Sequence, residues 1–366
     1  MSRIPLSRII FFLLVLGVHT IVGLQYKLVN VVFRHGDRTP LIDDDEPFPT
    51  SPYLNWTFYP FGSGQLTNAG KQREYDLGVH IRERYRDFLG DIYNPRSIIA
   101  RSSDYDRTKM SLQLVTAGMF PPAPEQRWRP ALNWQPVIAN YVPYPDSLLR
   151  PMSCPRYKKE LKAVEESPEV QLELSKYKDF MEDLTALTEK PIKRAKDVEG
   201  LYNGLMALYS MGLPLPEWTE GIFPYGIMHD AATLNYRVVS WNRRMKMLNG
   251  GMLLKNFTDN MFLAATAKNE SPVKMVLLSG HEINLTALLD ALGVYKPHVP
   301  AYSSAMFVEL LEDNNEYYVR IFYYLGIPQE TVQVNIPKCG RICPLSRFIK
   351  LYSDIFPSAE DVQCVP

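Results

Sequence analysis

The residues best suited to chemistry lie in one short stretch, V-V-F-R-H-G-D-R-T-P, at positions 31–40. Arg34, His35 and Arg38 follow an apolar run there, and charges of one sign so close together cost free energy unless an anion lies among them. Planar guanidinium forks bind several oxygens of a tetrahedral dianion, so phosphate is the natural occupant, and sulfate would also fit. A neutral histidine among them is a nucleophile toward phosphorus, and the neighbouring positive charges keep it unprotonated.

Two further stretches place charged residues directly after predicted strands. The stretch S-G-H-E-I-N-L-T-A-L-L-D-A-L-G, residues 279–293, puts His281 and Glu282 between an apolar strand and a helix. Glu282 can protonate a leaving alkoxide and, once ionised, can activate water. Arg101 follows the predicted strand 97–100. Ligands of open α/β sheets bind beyond the carboxyl ends of the strands. The residues that we expect to meet in one such cleft are Arg34, His35, Arg38, Arg101, His281 and Glu282.

The elements that must position these residues predict an α/β fold. Residues 26–33 are apolar and β-branched, as in a strand that is covered on both faces. Residues 71–89 then have the apolar periodicity of a helix. Strand patterns return late in the chain, at residues 273–278, 306–311 and 317–324. We therefore expect the first and last parts of the chain to build one sheet.

The middle of the chain has a different character. Residues 121–151 are rich in proline, which predicts a long irregular crossing. Residues 156–265 are mostly helical in period. We therefore predict an α/β catalytic domain from residues 24–125 and 271–366, with a helical cap subdomain inserted at residues 126–270.

The composition limits the class of protein and its location. With 46% hydrophobic residues the chain can bury a sizeable core, and 40 basic against 40 acidic residues favour neither nucleic acid nor an anionic membrane as a partner. Arg3 and Arg8 precede a short apolar stretch, Ile9 to Val18. This stretch is shorter than the roughly 20 residues of a membrane span. Residues 1–23 are thus predicted to be a secretory signal peptide, which leaves no stable membrane anchor.

Cysteines and glycosylation sequons agree with secretion. The four cysteines allow three pairings, and their spacing favours disulfides over a metal site; they are Cys154, Cys339, Cys343 and Cys364. The sequon asparagines are Asn55, Asn256, Asn269 and Asn284.

One other pair could in principle act in catalysis. His229 and Asp230 precede a predicted helix but follow no strand, so we interpret Asp230 as a helix N-cap and His229 as incidental. The six histidines include no H-x-x-x-H pair, so the sequence predicts no catalytic metal.

Several motifs together resemble those of the histidine acid phosphatases of the prostatic and lysosomal type. They are V-F-R-H-G-D-R-T-P, R-S-S-D-Y-D-R-T-K-M-S, L-S-G-H-E, L-T-N-A-G, L-N-W-Q-P and Y-Y-L-G-I-P, with the closing cysteines. The similarity covers nearly the whole chain after the signal peptide and is greatest to the secreted and venom acid phosphatases of insects.

The resemblance implies a mixed central sheet with helices on both faces, as in the phosphoglycerate mutases, and a helical cap. It implies that His35 is the phosphorylated nucleophile and that the residue after His281 donates the proton. Arg34, Arg38, Arg101 and His281 would bind the phosphoryl group. It also implies no cofactor, often a homodimer, and disulfides between Cys154 and Cys364 and between Cys339 and Cys343.

Our hypothesis is a secreted acid phosphatase that hydrolyses small phosphate monoesters through a phosphohistidine on His35, with Glu282 as proton donor. Most of the family has Asp at that position, and Glu has similar acidity on a side chain one methylene longer. We expect activity in mild acid because Glu282 must begin protonated. The alternatives are an inositol polyphosphate phosphatase and a secreted venom or binding protein with a vestigial site. The lysosomal lumen is the less favoured location.

Overall fold

The computed structural model describes residues 23–42, 46–267 and 272–364. The predicted signal peptide, apart from its last residue, and the sequon at Asn269 lie outside the described residues. Among the helices that are described, none combines the length and the apolar character that crossing a membrane requires.

The described residues form one eight-stranded sheet. Its strands are β1 (Gln25–Arg34), β2 (Ile98–Ser102), β3 (Asn140–Tyr141), β4 (Met275–Gly280), β5 (Ala305–Asp313), β6 (Glu316–Tyr324), β7 (Thr331–Val334) and β8 (Cys343–Pro344). Seven strands follow the order β3-β2-β4-β1-β5-β6-β7, and β8 pairs with β6. Strand β4 runs parallel to β1 and β2, whereas β5 is antiparallel to β1. The predicted mixed α/β sheet is thus confirmed.

Helices lie between successive strands from β1 to β5 along the chain and after the last strand. The α-helices of the described residues are α1 (Asn68–Leu89), α2 (Asp106–Met119), α3 (Pro155–Glu165), α4 (Pro168–Ser175), α5 (Lys178–Thr188), α6 (Ala195–Ser210), α7 (Ile227–Val238), α8 (Arg243–Leu248), α9 (Gly250–Thr266), α10 (Glu282–Ala291), α11 (Leu345–Tyr352) and α12 (Ala359–Val362). Short 3-10 helices lie at Pro124–Gln126, Pro151–Ser153, Glu217–Thr219 and Ser353–Ile355.

Helices cover both faces of the sheet, which explains why β1 is apolar along nearly its whole length. Val29, Val31 and Phe33 pack in one core with side chains of α1 and α2. Leu28 and Val32 point the other way, into a core with α9, α10 and α11. Because side chains alternate along a strand, a run that is almost wholly apolar serves both layers at once. Its one polar side chain, Asn30, accepts a hydrogen bond from Asn260 of α9.

Helices α3 to α8 lie between the two halves of the sheet sequence, as the helical periodicity predicted. Two parts of the expected insertion, residues 126–270, nevertheless belong to the sheet layers. Strand β3 pairs with β2, and Leu253 and Phe257 of α9 pack in the core under the sheet. Amphipathic periodicity marks a buried face but does not identify the element that covers it. The division into a catalytic domain and a cap otherwise stays a prediction.

The four cysteines form the disulfides Cys154–Cys364 and Cys339–Cys343, the pairing that the resemblance implied. The first joins the start of α3 to the residues after α12.

The sequon asparagines differ in exposure. Asn55 is exposed, and Asn256 is half-buried on α9. Asn284 is only 1% exposed, and its side chain accepts a hydrogen bond from His281 N and donates one to Leu149 O. A glycan does not fit on Asn284 in the folded chain, because the amide is enclosed, and glycosylation of the other sequons stays a prediction.

Candidate active site

Parallel pairing of β1 with β4 brings the first two charged stretches together. Arg34 lies opposite Gly280 in the register, and His35 N donates a hydrogen bond to Gly280 O at 3.1 Å. The imidazole rings of His35 and His281 consequently lie with their centroids 5.4 Å apart. The expectation that these two strand ends share one cleft agrees with this geometry.

His35 is 1% exposed, and its Nδ1 lies 2.9 Å from the carbonyl oxygen of Gly36. A carbonyl only accepts hydrogen bonds, so Nδ1 carries the proton and Nε2 carries the free lone pair. Burial and the charges of Arg107, Arg34 and Arg38 hold the pKa of His35 well below its usual value, although the Gly36 hydrogen bond opposes them. The imidazole is therefore an unprotonated nucleophile even in mild acid.

Gly36 is required by packing rather than by its dihedral angles. A Cβ at this position would lie 2.5 Å from the carbonyl oxygen of Gly70, at the start of α1. The close approach fixes the turn after β1 against α1, so the motifs R-H-G and L-T-N-A-G depend on each other.

Three arginines surround His35 at low exposure. Arg34 pairs with Glu282, with 3.0 Å between Nε and Oε2, and its guanidinium lies 4.2 Å from the ring centroid of Tyr302. Arg38 binds both carboxylate oxygens of Glu46, at 2.7 and 2.6 Å. Its fork is thus held rigidly, which is what recognition of a tetrahedral anion needs.

Arg107, in the first turn of α2, completes the cluster. It is 7% exposed and lies 4.5 Å from the ring centroid of Tyr105. Burial and the like charge of Arg38 lower the pKa of Arg107 to about 10, while Glu282 opposes that shift. Its guanidinium remains charged, at a cost in free energy that a bound anion would offset.

These arginines keep buried donors without acceptors. The Nε groups of Arg38 and Arg107, with the hydroxyl of Tyr302, have no hydrogen-bond partner among the described residues. Arg34 Nε lies 3.0 Å from Glu282 Oε2 in an ion pair but makes no hydrogen bond with it. An unsatisfied buried donor costs about 1–3 kcal/mol, and more when it is charged. Four such donors around one unprotonated imidazole fit an anion with several oxygens.

Arg101 does not join this cluster, and the expectation that it binds the phosphoryl group disagrees with its position. It lies inside β2, on the face opposite Ala100, and pairs with Asp146 at 2.5 Å. Both residues line a separate cavity of about 530 Å³. The strand extends to Ser102, so the carboxyl edge of the sheet lies beyond Arg101, and the contacts with His281 begin only at Ser103. The last letter of the same motif, R-S-S-D-Y-D-R, is Arg107, which does lie in the cluster.

His281 is 3% exposed, and its Nε2 lies 3.0 Å from Ser103 Oγ. Burial, followed by the charges of Arg107 and Arg150, holds the pKa of His281 well below its usual value. It is therefore neutral, so its contribution to binding an anion is a hydrogen bond rather than a charge.

Glu282 is the first residue of α10 and is 15% exposed. Burial raises its pKa, but the charges of Arg34, Arg38 and Arg107 outweigh burial, so the pKa lies below its usual value. The helix N-terminus also favours the ionised form. The expectation that Glu282 begins protonated therefore does not fit this arrangement of charges.

A second carboxyl group faces the cluster from α6. Glu199 Oε1 accepts hydrogen bonds from Tyr236 OH, at 3.3 Å, and from Asn203 Nδ2. Burial, with the charges of Glu282 and Glu46, raises the pKa of Glu199 to about 7. No sequence pattern indicated this residue, because α6 is remote in sequence from every motif of the site.

His229 lies outside the cluster, on α7, beside Asp230. The N-cap of α7 is Gly226, so the interpretation of Asp230 as the cap is wrong, and Asp230 lies in the first turn. Within the described residues, no group of three or more His, Cys, Asp or Glu side chains is arranged to hold a metal ion.

Comparison with known proteins identifies the family. Residues 25–324 match the model of the histidine phosphatase superfamily (branch 2). The chain belongs to this superfamily. It is 44% identical to venom acid phosphatase Acph-1 of Apis mellifera over 347 residues, which span 94% of this chain and 89% of the relative. It is 30% identical to human prostatic acid phosphatase, covering 94% of this chain and 89% of that protein.

Solved structures share the fold. The phytase of Citrobacter braakii matches with a TM-score of 0.69 at 15% identity, covering 93% of this chain and 99% of that chain. Hafnia alvei phytase in complex with tartrate matches with a TM-score of 0.68 at 17% identity, covering 94% and 99%. At such identities the likeness concerns the histidine phosphatase fold alone. The predicted resemblance to histidine acid phosphatases is confirmed.

Proposed function

We propose that this histidine phosphatase hydrolyses phosphate monoesters through a covalent phosphohistidine on His35. The observation that carries the proposal is the set of buried, unsatisfied arginine donors around an unprotonated imidazole. The acid phosphatases among its relatives support the same activity.

In the first step, His35 Nε2 attacks phosphorus, an N–P bond forms and the ester P–O bond breaks. Arg34, Arg38 and Arg107, with His281, hold the phosphoryl oxygens, and the leaving alkoxide takes a proton from the Glu282 carboxyl group. In the second step, ionised Glu282 takes a proton from water, the water oxygen attacks phosphorus and the N–P bond breaks. Phosphate leaves and His35 is restored.

The proton on Glu282 must arrive with the substrate. The charge of a phosphoryl group among the arginines offsets their effect on Glu282 and so raises its pKa from the low value of the free site. In mild acid a phosphate monoester is largely a monoanion, because its second pKa is about 6, and it carries the proton that Glu282 lacks. Activity in mild acid follows from this coupling of proton and substrate.

A trapped intermediate tests the proposal. His35→Ala should abolish turnover of an aryl phosphate near pH 5 and should remove acid-labile protein-bound phosphate from rapidly quenched reactions. The matched control is His80→Ala, which changes a histidine of α1 that packs against Tyr324 and Thr331, away from the cluster, and should keep parental kcat/KM. Parental turnover in His35→Ala would refute the mechanism.

The inositol polyphosphate alternative has less support. A substrate with many phosphates requires basic residues on every side of the cleft, whereas carboxyl groups of Glu199, Glu46 and Glu282 lie on the α6 side. The phytase structures share the fold at low identity, which is not an argument for substrate. A vestigial site is disfavoured because the cluster is complete.

We also infer secretion and self-association. The two disulfides suit an oxidising compartment, and relatives are named for venom and for the lysosome. Exposed apolar side chains beside the β2–β3 edge suit a homodimer, among them Trp128, Trp134 and Ile138. Light scattering of the purified protein would measure the oligomeric state, and a monomer at all concentrations would contradict this inference.

A further inference from the structure

A fourth arginine, with no anionic partner among the described residues, lies beside the site. Arg150 is half-buried in the segment between β3 and α3, and its guanidinium lies 4.6 Å from the ring centroid of Tyr105 and 5.9 Å from that of Tyr144. Within the described part of the chain its guanidinium forms no ion pair, and its buried Nε has no hydrogen-bond acceptor. Arg34, Arg38 and Arg101 each have a carboxylate partner.

Arg150 is close enough to the phosphoryl site to influence it. Its charge lowers the pKa of His281 more than the charge of Arg34 does. Tyr105 lies between Arg150 and the phosphoryl site. Its ring, which contacts Arg150, also packs 4.5 Å from the guanidinium of Arg107 and edge-on against His281, with centroids 5.2 Å apart. Arg150 therefore extends the cationic cluster on the His281 side.

The surroundings of Arg150 position its charge without neutralising it. Aromatic faces attract a guanidinium through the ring quadrupole and hold it in place. They offer no oxygen to its N–H groups, so the hydrogen-bonding capacity of the fork stays available. A partly buried cation with unused donors is costly unless it has a ligand.

The α6 side differs in charge. Glu199 and Glu46 lie there with Glu282, so that side presents carboxyl groups rather than a free cation to a further anionic group. An additional anion on a bound substrate is thus better accommodated next to Arg150 than beside Glu199.

We propose that Arg150 determines specificity by binding a second anionic group, a carboxylate or a phosphate, on the alcohol part of the monoester. This proposal rests on the proposed phosphatase activity and names a class of substrate for it: monoesters with one further negative charge close to the ester.

Matched substrates test the proposal. 3-Phosphoglycerate and glycerol 3-phosphate differ only by a carboxylate in place of a CH₂OH group, as do 2-phosphoglycerate and glycerol 2-phosphate. Arg150→Gln should lower kcat/KM for at least one phosphoglycerate about tenfold or more, the size of a lost charge-assisted hydrogen bond. The glycerol phosphates should change less than about threefold. Arg150→Lys, which keeps the charge, should recover part of the loss.

Controls separate the possible causes. Arg96→Gln removes an exposed arginine at the amino end of β2, opposite the cleft, and should leave all four values unchanged. In the parent enzyme, salt should reduce the preference for the phosphoglycerate over its glycerol partner. Equal losses of kcat/KM on both members of a pair would mean that Arg150 acts through His281. No loss on either member would mean that Arg150 does not contact the second anionic group. Either result overturns the proposal.

Binding distinguishes this proposal from the proposed function. Calorimetric titration of His35→Ala with the same four compounds measures the Kd ratio within each pair without turnover. If the parent enzyme hydrolyses none of them, the phosphatase proposal fails for these esters, while a Kd ratio that depends on Arg150 still supports the anion subsite. A ratio that is unchanged by Arg150→Gln refutes the subsite whether or not the enzyme is active.

Discussion

Exchanging Arg107 or Arg101 for glutamine tests the position of the phosphoryl site most directly. Arg107 lies among the buried donors around His35, whereas Arg101 pairs with Asp146 beside a different cavity. Arg107→Gln removes a preorganised charged donor from a water-poor site, which costs about 3 kcal/mol, or on the order of 10²-fold in kcat/KM.

Arg101→Gln should reduce the stability of the fold and leave the activity nearly unchanged. Asp146 is 3% exposed and loses its cation, although it keeps hydrogen bonds from the backbone N–H groups of Leu148 and Leu149. We expect a loss of about 1–3 kcal/mol in the free energy of unfolding, with kcat/KM within about threefold of the parent. One variant is thus impaired in activity and the other in stability.

The pH profile supplies an independent check on Arg107. Its positive charge is the largest charge effect that lowers the pKa of His35, so its removal raises that pKa toward the ordinary value. Protonated His35 cannot attack phosphorus, so the acidic limb of kcat/KM should move to higher pH in Arg107→Gln. Steady-state assays of an aryl phosphate from pH 3 to 8, with urea unfolding of each variant, measure both effects. Parental activity in Arg107→Gln, or an equal loss of activity in Arg101→Gln, would refute the assignment.

Two further predictions concern buried carboxyl groups. Glu282→Gln should slow the release of an alkyl alcohol by about 10²–10⁴-fold. An aryl phosphate, whose leaving group needs no proton, should still give a burst of phenolate. Equal losses on both esters would contradict the proton-donor role. Glu74 of α1 is fully buried, accepts a hydrogen bond from Ser303 OH at 2.7 Å, and has a pKa raised well above the usual value, first by burial. Because its folded pKa is raised, the native state holds the proton more tightly, and stability falls as pH rises above the unfolded pKa of about 4.3. Glu74→Gln should therefore match the parent in Tm near pH 4 and exceed it increasingly toward pH 7; a difference that does not grow with pH would show that Glu74 is not held protonated.

The sequence alone determined the fold class and the centre of the site, because both depend on local patterns. An apolar run followed by R-H-G-D-R or by G-H-E specifies a buried strand with a charged turn after it. The carboxyl ends of parallel strands meet at one edge of a sheet, so the sequence is sufficient to predict that Arg34, His35 and His281 are neighbours.

Tertiary structure decided which arginines lie around His35 and how the carboxyl groups ionise. Arg101 and Arg107 are six positions apart, and only the length of β2 and the direction of its side chains separate their roles. Arg150 and Glu199 approach the cleft from remote segments, and the pKa of Glu282 depends on the balance of burial against three arginines. The direction of a side chain, its burial and the field around it arise from neighbours that are distant in sequence, so no local pattern contains them.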